Sequence, residues 1–209
     1  MRIVLATRNP GKVAELRARL AGLGVELVSA AEVDGAPEVD EDRDTLRGNA
    51  EKKARALHAH TGLPALADDT GLEVGALGGA PGVYSARFAG PDADDAANRA
   101  HLLRQLGERE DRAARFRTVL AFVDGAAVHF FDGVCEGTIT RDERGDGGFG
   151  YDALFVPRDG DSLPEPAPDL IRGTRSGGRT FAQMSKDEKN SISHRGRALD
   201  AFTSWLASQ

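Results

Sequence analysis

The opening segment most constrains the fold, because strand and helix signals alternate within it. Residues 2–6 form a short apolar run with β-branched side chains, which is typical of a buried strand. Residues 7–11 read Thr-Arg-Asn-Pro-Gly, a turn sequence. Apolar side chains then recur at helical spacing over residues 12–23, and residues 25–28 are again strand-like. This order predicts an α/β chain.

Further helices and strands follow, and the middle of the chain is rich in consecutive strands. Asp44 or Thr45 is placed to cap a helix through about Thr61. The later expectations are strands at 65–67, 115–123, 128–131, 134–140 and 153–156, and helices at 92–106 and 193–207. The hairpin-rich segment is a candidate for a second lobe of a mixed α/β fold. Residues 158–178, rich in proline and glycine, predict an exposed flexible loop.

The amino-acid composition limits the classes of protein to which the chain can belong. The 209 residues are 40% apolar and 29% charged, which indicates one globular domain over residues 1–209. A net charge of −6 argues against a nucleic-acid partner, because such proteins carry a basic footprint. The chain has no apolar run long enough to span a bilayer, and Cys135 is its only cysteine. We therefore expect a cytoplasmic protein without membrane contact.

The turn at residues 7–12 is a candidate phosphate site. A helix N-terminus offers free N–H groups and a partial positive charge, and Thr7, Asn9 and Lys12 add polar and cationic groups. The spacing is not that of a P-loop. An ordinary strand–helix turn with a surface lysine therefore remains the alternative.

Adjacent aspartates follow the strand at 65–67. Neighbours on an extended backbone point to opposite faces, so one of Asp68 and Asp69 can face a ligand while the other braces the loop. Such oxygen ligands suit Mg²⁺. An Asx-turn or a helix cap explains the pair equally well. The acidic segment 40–42 could add a metal ligand, although most acidic loops are simply solvated.

Two later stretches carry possible binding groups. Residues 149–152 read Phe-Gly-Tyr-Asp, in which an aromatic side chain either stacks on a base or joins the core. His194 and Arg195 begin the last helix, and Lys189 precedes it. Cations in a first helical turn oppose the helix dipole, which indicates an acceptor nearby.

Together these stretches resemble the inosine triphosphate pyrophosphatase family, whose members hydrolyse noncanonical purine nucleoside triphosphates. The resemblance runs nearly end to end, and it is specific because several motifs occur in the right order. The stretches that carry it are residues 5–12 (LATRNPGK), 49–54 (NAEKKA), 67–72 (ADDTGL), 77–87 (LGGAPGVYSAR), 147–152 (GGFGYD) and 192–196 (ISHRG).

The resemblance implies an elongated mixed sheet with flanking helices, two lobes around a central cleft, and a homodimer. It implies that Asp69 is the catalytic carboxylate and that Mg²⁺ is held by Asp69 and Asp40. The family usually has a glutamate at the position of Asp40, so the adjacent Glu41 is an open alternative. The substrate-binding residues that it implies are Thr7, Arg8, Asn9, Pro10, Gly11, Lys12, Lys53, Thr70, Phe149, Gly150, Tyr151, Asp152, Lys189, His194 and Arg195.

The implied reaction is hydrolysis of ITP, dITP or XTP to the monophosphate and pyrophosphate. Two alternatives stay open. One is the related Maf-type family, which cleaves methylated or pyrimidine nucleotides. The other is a non-catalytic nucleotide-sensing module, against which the placement of Asp69 beside the phosphate-binding candidates argues.

Overall fold

A computed structural model describes residues 1–8, 10–158 and 178–209, with only the backbone of residues 10 and 11. The predicted loop at 158–178 therefore lies, apart from its two end residues, outside the described part of the chain. The same holds for the predicted phosphate contact of Asn9. Among the described residues, no helix is both long enough and apolar enough to cross a membrane.

The structure confirms a mixed α/β fold. The strands are β1 (Arg2–Leu5), β2 (Glu26–Ser29), β3 (Ala65–Val74), β4 (Pro81–Gly82), β5 (Ala113–Asp124), β6 (Ala127–Ile139) and β7 (Phe155–Pro157). The α-helices are α1 (Pro10–Arg19), α2 (Leu46–Thr61), α3 (Asp95–Leu106), α4 (Lys186–Ile192) and α5 (His194–Leu206). The strand order is β2-β1-β3-β5-β6-β7, with β4 also paired to β3. β1 pairs in parallel with β2 and β3, whereas β4 and β7 pair antiparallel with β3 and β6.

The chain divides into two compact units. Unit 1 comprises Met1–Thr70, Thr118–Gly133 and Arg197–Gln209, and unit 2 comprises Gly71–Arg117 and Val134–Gly196. β3, β5 and β6 contribute residues to both. The expected cleft between two lobes stays a prediction.

In unit 1, the alternation of side chains along the strands separates the helices onto two faces of the sheet. Leu66 of β3 packs in one apolar cluster with residues of α1 and α5. Its neighbours Ala65 and Ala67 pack in two other clusters, both of which contain residues of α2. Since neighbours on a strand point to opposite faces, α1 and α5 cover one face and α2 covers the other.

In unit 2, a group of aromatic rings packs within the apolar core. Phe116 packs against Phe155 with ring centroids 4.7 Å apart, and the His194 ring stacks on Phe116 at 4.7 Å. Phe181 completes this group, and all three phenylalanines are buried. The cluster fixes the start of α5, because His194 is the first residue of that helix.

Several boundaries differ from those predicted. The aspartate pair was expected in a turn after a strand ending at residue 67, but β3 continues to Val74. Leu72 and Val74 are both buried, so the strand is held by core packing beyond the polar pair. β6 is one strand where two were expected. The Thr45 cap and the hairpin at Asp124 are confirmed, since Thr45 accepts a hydrogen bond from the Gly48 N–H and β6 begins at Ala127.

Candidate functional site

The turn after β1 borders a cavity in unit 1. The cavity has a volume of about 350 Å³, and its lining includes Thr7, Arg8, Asp40 and Lys53. The Arg8 guanidinium donates to the Ala36 carbonyl at 3.0 Å. Arg8 and Lys53 offer cationic groups to an anionic ligand such as phosphate, and Glu38 and Asp40 of the same lining offset their charge.

The adjacent aspartates of β3 face opposite ways, as predicted. Asp68 continues the face of the sheet that α1 covers, and both of its oxygens accept hydrogen bonds from Lys12 Nζ, at 2.8 and 3.1 Å. Asp69 continues the face that α2 covers and contacts residues of α2. The structure therefore joins Lys12 to Asp68, a pairing that the sequence left unassigned.

Asp69 lies in a buried network that we call the Asp69 cluster: Asp69, Lys53, Glu41 and Asn49. Lys53 Nζ donates to Asp69 Oδ1 at 2.9 Å and to Glu41 Oε1 at 2.6 Å. Asn49 Nδ2 lies 3.4 Å from Asp69 Oδ2. Lys53 and Asn49 are four residues apart on α2, so both reach the same point on the strand.

The charges of this cluster are shifted by its burial. Burial raises the pKa of Asp69 from 3.8 to about 6, against the opposing effects of the Lys53 ammonium and the Asn49 amide. Burial alone disfavours the charged lysine, yet the carboxylates of Asp69 and Glu41 raise the pKa of Lys53 overall. The cluster therefore holds a permanent cation beside a carboxyl group that is poised to exchange a proton near neutral pH.

Glu41, rather than Asp40, reaches the ammonium group that contacts Asp69. Asp40 is exposed, and its backbone carbonyl accepts a hydrogen bond from Lys52 Nζ at 2.9 Å. Among the described residues, no three histidine, cysteine, aspartate or glutamate side chains are grouped to hold a metal ion. Proteins usually hold Mg²⁺ through only one or two carboxylates, and substrate oxygens complete its coordination. The two carboxylates that share the Lys53 ammonium group match this pattern. Asp40 as a metal ligand stays a prediction, and the geometry favours its neighbour.

Thr70 contacts a residue of β5. Its Oγ1 lies 2.7 Å from Thr118 Oγ1, and Thr118 is fully buried. Thr70 shares the face of β3 that carries Asp68, because the two positions are two residues apart. Its predicted contact with substrate is not tested by this packing and stays a prediction.

In unit 2, Asp152 closes the turn at residues 148–152. Its Oδ2 accepts from the Phe149 backbone N–H at 2.9 Å and from Lys189 Nζ at 2.5 Å. Gly148 is required there, because a side chain at this position would collide with the Asp152 carboxylate. Asp152, which was predicted to contact the edge of a base, thus shapes the turn that carries the Phe149 side chain.

Phe149 is the exposed member of the motif. Its side chain is 59% exposed, Lys189 Nζ lies 4.7 Å from its ring centroid, and the Arg195 guanidinium carbon lies 6.0 Å from it. We call Phe149, Asp152, Lys189 and Arg195 the Asp152 cluster. An exposed ring flanked by two cations has the chemistry needed to stack on a flat ligand and donate to acceptors on its edge.

Tyr151 and His194 are buried instead. The Tyr151 hydroxyl donates to the Ser85 carbonyl at 2.8 Å, and burial raises the pKa of Tyr151 well above its usual value. The prediction that an aromatic residue of the motif joins the core is therefore confirmed for Tyr151. The structure brings His194 into the phenylalanine core, and its predicted substrate contact stays a prediction, as does that of Gly150.

Comparisons with known proteins agree with this architecture. Residues 3–205 match the model of the Ham1 family. A dITP/XTP pyrophosphatase from Desulforamulus reducens is 50% identical over 202 residues, covering 95% of this chain and 92% of that protein. A dITP/XTP pyrophosphatase from Mycobacterium bovis is 46% identical over 203 residues, covering 95% and 91%. The family resemblance seen in the motifs is confirmed.

Solved structures give the same result for the fold. A HAM1 protein from Coxiella burnetii superposes with a TM-score of 0.87 at 38% identity, covering 100% of both chains. A nucleoside-triphosphatase and dITP/XTP pyrophosphatase from Mycobacterium abscessus gives a TM-score of 0.76 at 43% identity, covering 97% and 98%.

Proposed function

Because the chain belongs to the Ham1 family, we propose that it hydrolyses noncanonical purine nucleoside triphosphates such as ITP, dITP and XTP to the monophosphate and pyrophosphate. Relatives that match almost the whole chain are dITP/XTP pyrophosphatases. The single observation that carries the proposal is the Asp69 cluster, in which burial leaves a carboxyl group ready to accept a proton beside a fixed ammonium group.

In this reaction, water attacks the α-phosphorus. The water oxygen forms a bond to phosphorus, and the bond from phosphorus to the oxygen that bridges the α- and β-phosphates breaks. Asp69 orients the water and takes its proton, while Lys53 and Lys12 neutralise negative charge on the phosphates. Pyrophosphate then leaves with the electron pair of the broken bond.

Magnesium fits this donor set, and we propose it as the cofactor. Asp69 and Glu41 are the residues that would hold it, since their carboxylates already share one cation. When bound, the ion supplies charge neutralisation and polarisation of the phosphate oxygens. Lys53 orients both carboxylates around the same point.

The Asp152 cluster supplies base recognition in this proposal. Phe149 stacks on the purine, and Lys189 and Arg195 donate to the 6-oxo group that hypoxanthine and xanthine share. ATP presents a 6-amino donor to these donors, which leaves buried groups unpaired at a cost of about 1–3 kcal/mol per group. Selection against ATP therefore follows from a mismatch of hydrogen-bonding groups.

Release of pyrophosphate from ITP, dITP, XTP, GTP, ATP and dTTP, with and without magnesium, tests the proposal. We expect release from the first three, dependent on magnesium, with weak release from ATP and dTTP. Preference for dTTP would instead place the chain with pyrimidine-cleaving enzymes. Binding of ITP without turnover would indicate a sensing module.

We also propose a homodimer and a cytoplasmic location, which rest on the family resemblance and on the composition of the chain. Light scattering of the purified protein tests the oligomeric state, with a mass of twice 22.2 kDa as the expected result. A monomer at micromolar concentration would contradict it. Fractionation of cells tests the location, and recovery outside the cytoplasm would contradict that expectation.

A further inference from the structure

Two residues of α3 bond both backbone polar groups of Gly150. The Gly150 N–H donates to Asp95 Oδ2 at 2.6 Å, and Arg99 donates through a guanidinium N–H to the Gly150 carbonyl at 2.9 Å. Asp95 and Arg99 are four residues apart and lie on the same side of the helix. Glu143 in turn lies 3.0 Å from the Arg99 guanidinium. We call Asp95 and Arg99 the α3 clamp.

The helix that carries the clamp is itself firmly anchored. Asn98 is 2% exposed, accepts from the Ala89 N–H at 2.8 Å and donates to the Ala86 carbonyl at 3.0 Å. Leu102 and Leu106 of the same helix are fully buried in the core of unit 2. The clamp therefore holds Gly150 in a fixed position, because the helix cannot move without breaking these contacts.

The residues on either side of Gly150 differ in how they are held. Tyr151 is buried and bonded to Ser85, whereas the Phe149 ring is mostly exposed. Side-chain packing contributes little to the placement of an exposed ring, so the placement of Phe149 depends on its backbone. That backbone is fixed by Asp152 within the turn and by the α3 clamp at the next peptide.

We propose that Asp95 and Arg99 are positioning residues that set the affinity for the purine base. They act on Phe149 through the Gly150 backbone. This inference rests on the proposed function, in which Phe149 stacks on the base. The clamp touches neither the phosphates nor the reacting atoms. Its loss therefore weakens base binding and base selectivity more than the rate of the chemical step.

The test uses four variants of the full chain: Asp95→Ala, Asp95→Asn, Arg99→Met and the control Arg104→Met. Arg104 lies on the same helix and is exposed, so its replacement makes the same change of charge as that of Arg99. Each variant is assayed for kcat and KM with ITP and ATP, for IMP affinity by calorimetry, and for its thermal unfolding midpoint.

We expect Asp95→Ala and Arg99→Met to raise the KM for ITP and the Kd for IMP about tenfold, with kcat changed by about twofold or less. Asp95→Asn keeps an oxygen acceptor for the Gly150 N–H and should rescue both constants, and Arg104→Met should match the wild type. Wild-type constants in folded Asp95→Ala and Arg99→Met would overturn the inference, as would failure of Asp95→Asn to rescue.

The two proposals fail in different ways. A wild-type protein that releases no pyrophosphate from ITP overturns the proposed function. Binding of IMP is measured without turnover, so it still decides whether the clamp positions a purine site. Equal IMP affinity in wild type, Asp95→Ala and Arg99→Met overturns the clamp even when pyrophosphate release is normal.

Discussion

The Asp69 and Asp152 clusters are built around the same kind of contact, a buried lysine–aspartate pair, yet their charges are arranged differently. In the Asp69 cluster, Lys53 is shared between Asp69 and Glu41, so carboxylates outnumber ammonium groups. In the Asp152 cluster, Lys189 pairs with a carboxylate that also accepts from a backbone N–H. The Asp69 cluster therefore has one ammonium group for two carboxylates, whereas the Lys189–Asp152 pair has one of each.

This difference indicates a division of tasks. Burial, with a smaller contribution from the Glu41 carboxylate, raises the pKa of Asp69, which suits proton transfer, and two carboxylates around one ammonium group suit metal binding. A balanced pair satisfied by a backbone donor holds a turn in one shape, which is a requirement of base recognition. Loss of Asp69 should therefore affect kcat, and loss of residues around Asp152 should affect selectivity.

The largest expected effect is that of Asp69→Asn. The amide cannot accept the proton of water, so kcat for ITP should fall about 10²–10⁴-fold while the fold is retained. The matched comparison is Asp68→Asn, on the adjacent position of the opposite face, for which we expect a loss of about tenfold or less. Initial rates of pyrophosphate release measure both. Near-normal turnover of Asp69→Asn would mean that Asp69 is not the catalytic carboxylate.

Arg195→Ala should act on selectivity instead. Removal of a donor beside the Phe149 ring should lower the ratio of kcat/KM for ITP to that for ATP about tenfold, with a smaller change in kcat for ITP. Arg197→Ala, two residues further along and exposed, is the control and should keep the wild-type ratio. An unchanged ratio in Arg195→Ala would remove it from base recognition.

The stability of Asp69→Asn in metal-free buffer with EDTA tests the effect of burial on the Asp69 carboxyl group. The folded pKa of about 6 lies above the ordinary value of 3.8, so ionisation of Asp69 opposes folding above pH 6 and ceases to do so below about pH 4. The variant should therefore unfold about 2–4 °C higher than the wild type at pH 7.5, and the difference should vanish towards pH 4. A difference that grows as the pH falls would contradict the burial effect.

Tyr151→Phe should have the smallest effect on turnover. It removes the hydroxyl that donates to the Ser85 carbonyl and leaves the ring in the core of unit 2. One lost hydrogen bond costs about 1 kcal/mol, which should lower the unfolding midpoint by about 2–4 °C without altering kcat. Calorimetric unfolding and ITP turnover measure the two. A large loss of kcat would mean that Tyr151 takes part in the chemistry.

Local patterns predicted much of the fold and part of the site. Helical spacing and a capping threonine indicate α2, and strand alternation predicts that Asp68 and Asp69 face opposite ways, because both depend on neighbouring residues alone. The reach of β3 to Val74 could not be predicted from the turn-like sequence at 68–71, since core packing holds the strand beyond it.

Contacts between distant segments explain what the sequence could not reveal. The choice between Asp40 and Glu41 depends on the path of a loop towards α2, which no local pattern specifies. Asn49 was missed as a partner of Asp69, although its spacing of four residues from Lys53 was a usable signal. Arg99 reaches Gly150 across 51 residues of sequence, so neither residue alone indicated the clamp.

We propose that the Asp69 cluster directs water to the α-phosphorus of a purine nucleoside triphosphate. Hydrolysis of ITP in oxygen-18 water, followed by mass spectrometry of both products, tests it most directly. We expect the label to enter IMP and pyrophosphate to stay unlabelled. Label in pyrophosphate, or the formation of IDP with labelled phosphate, would contradict it.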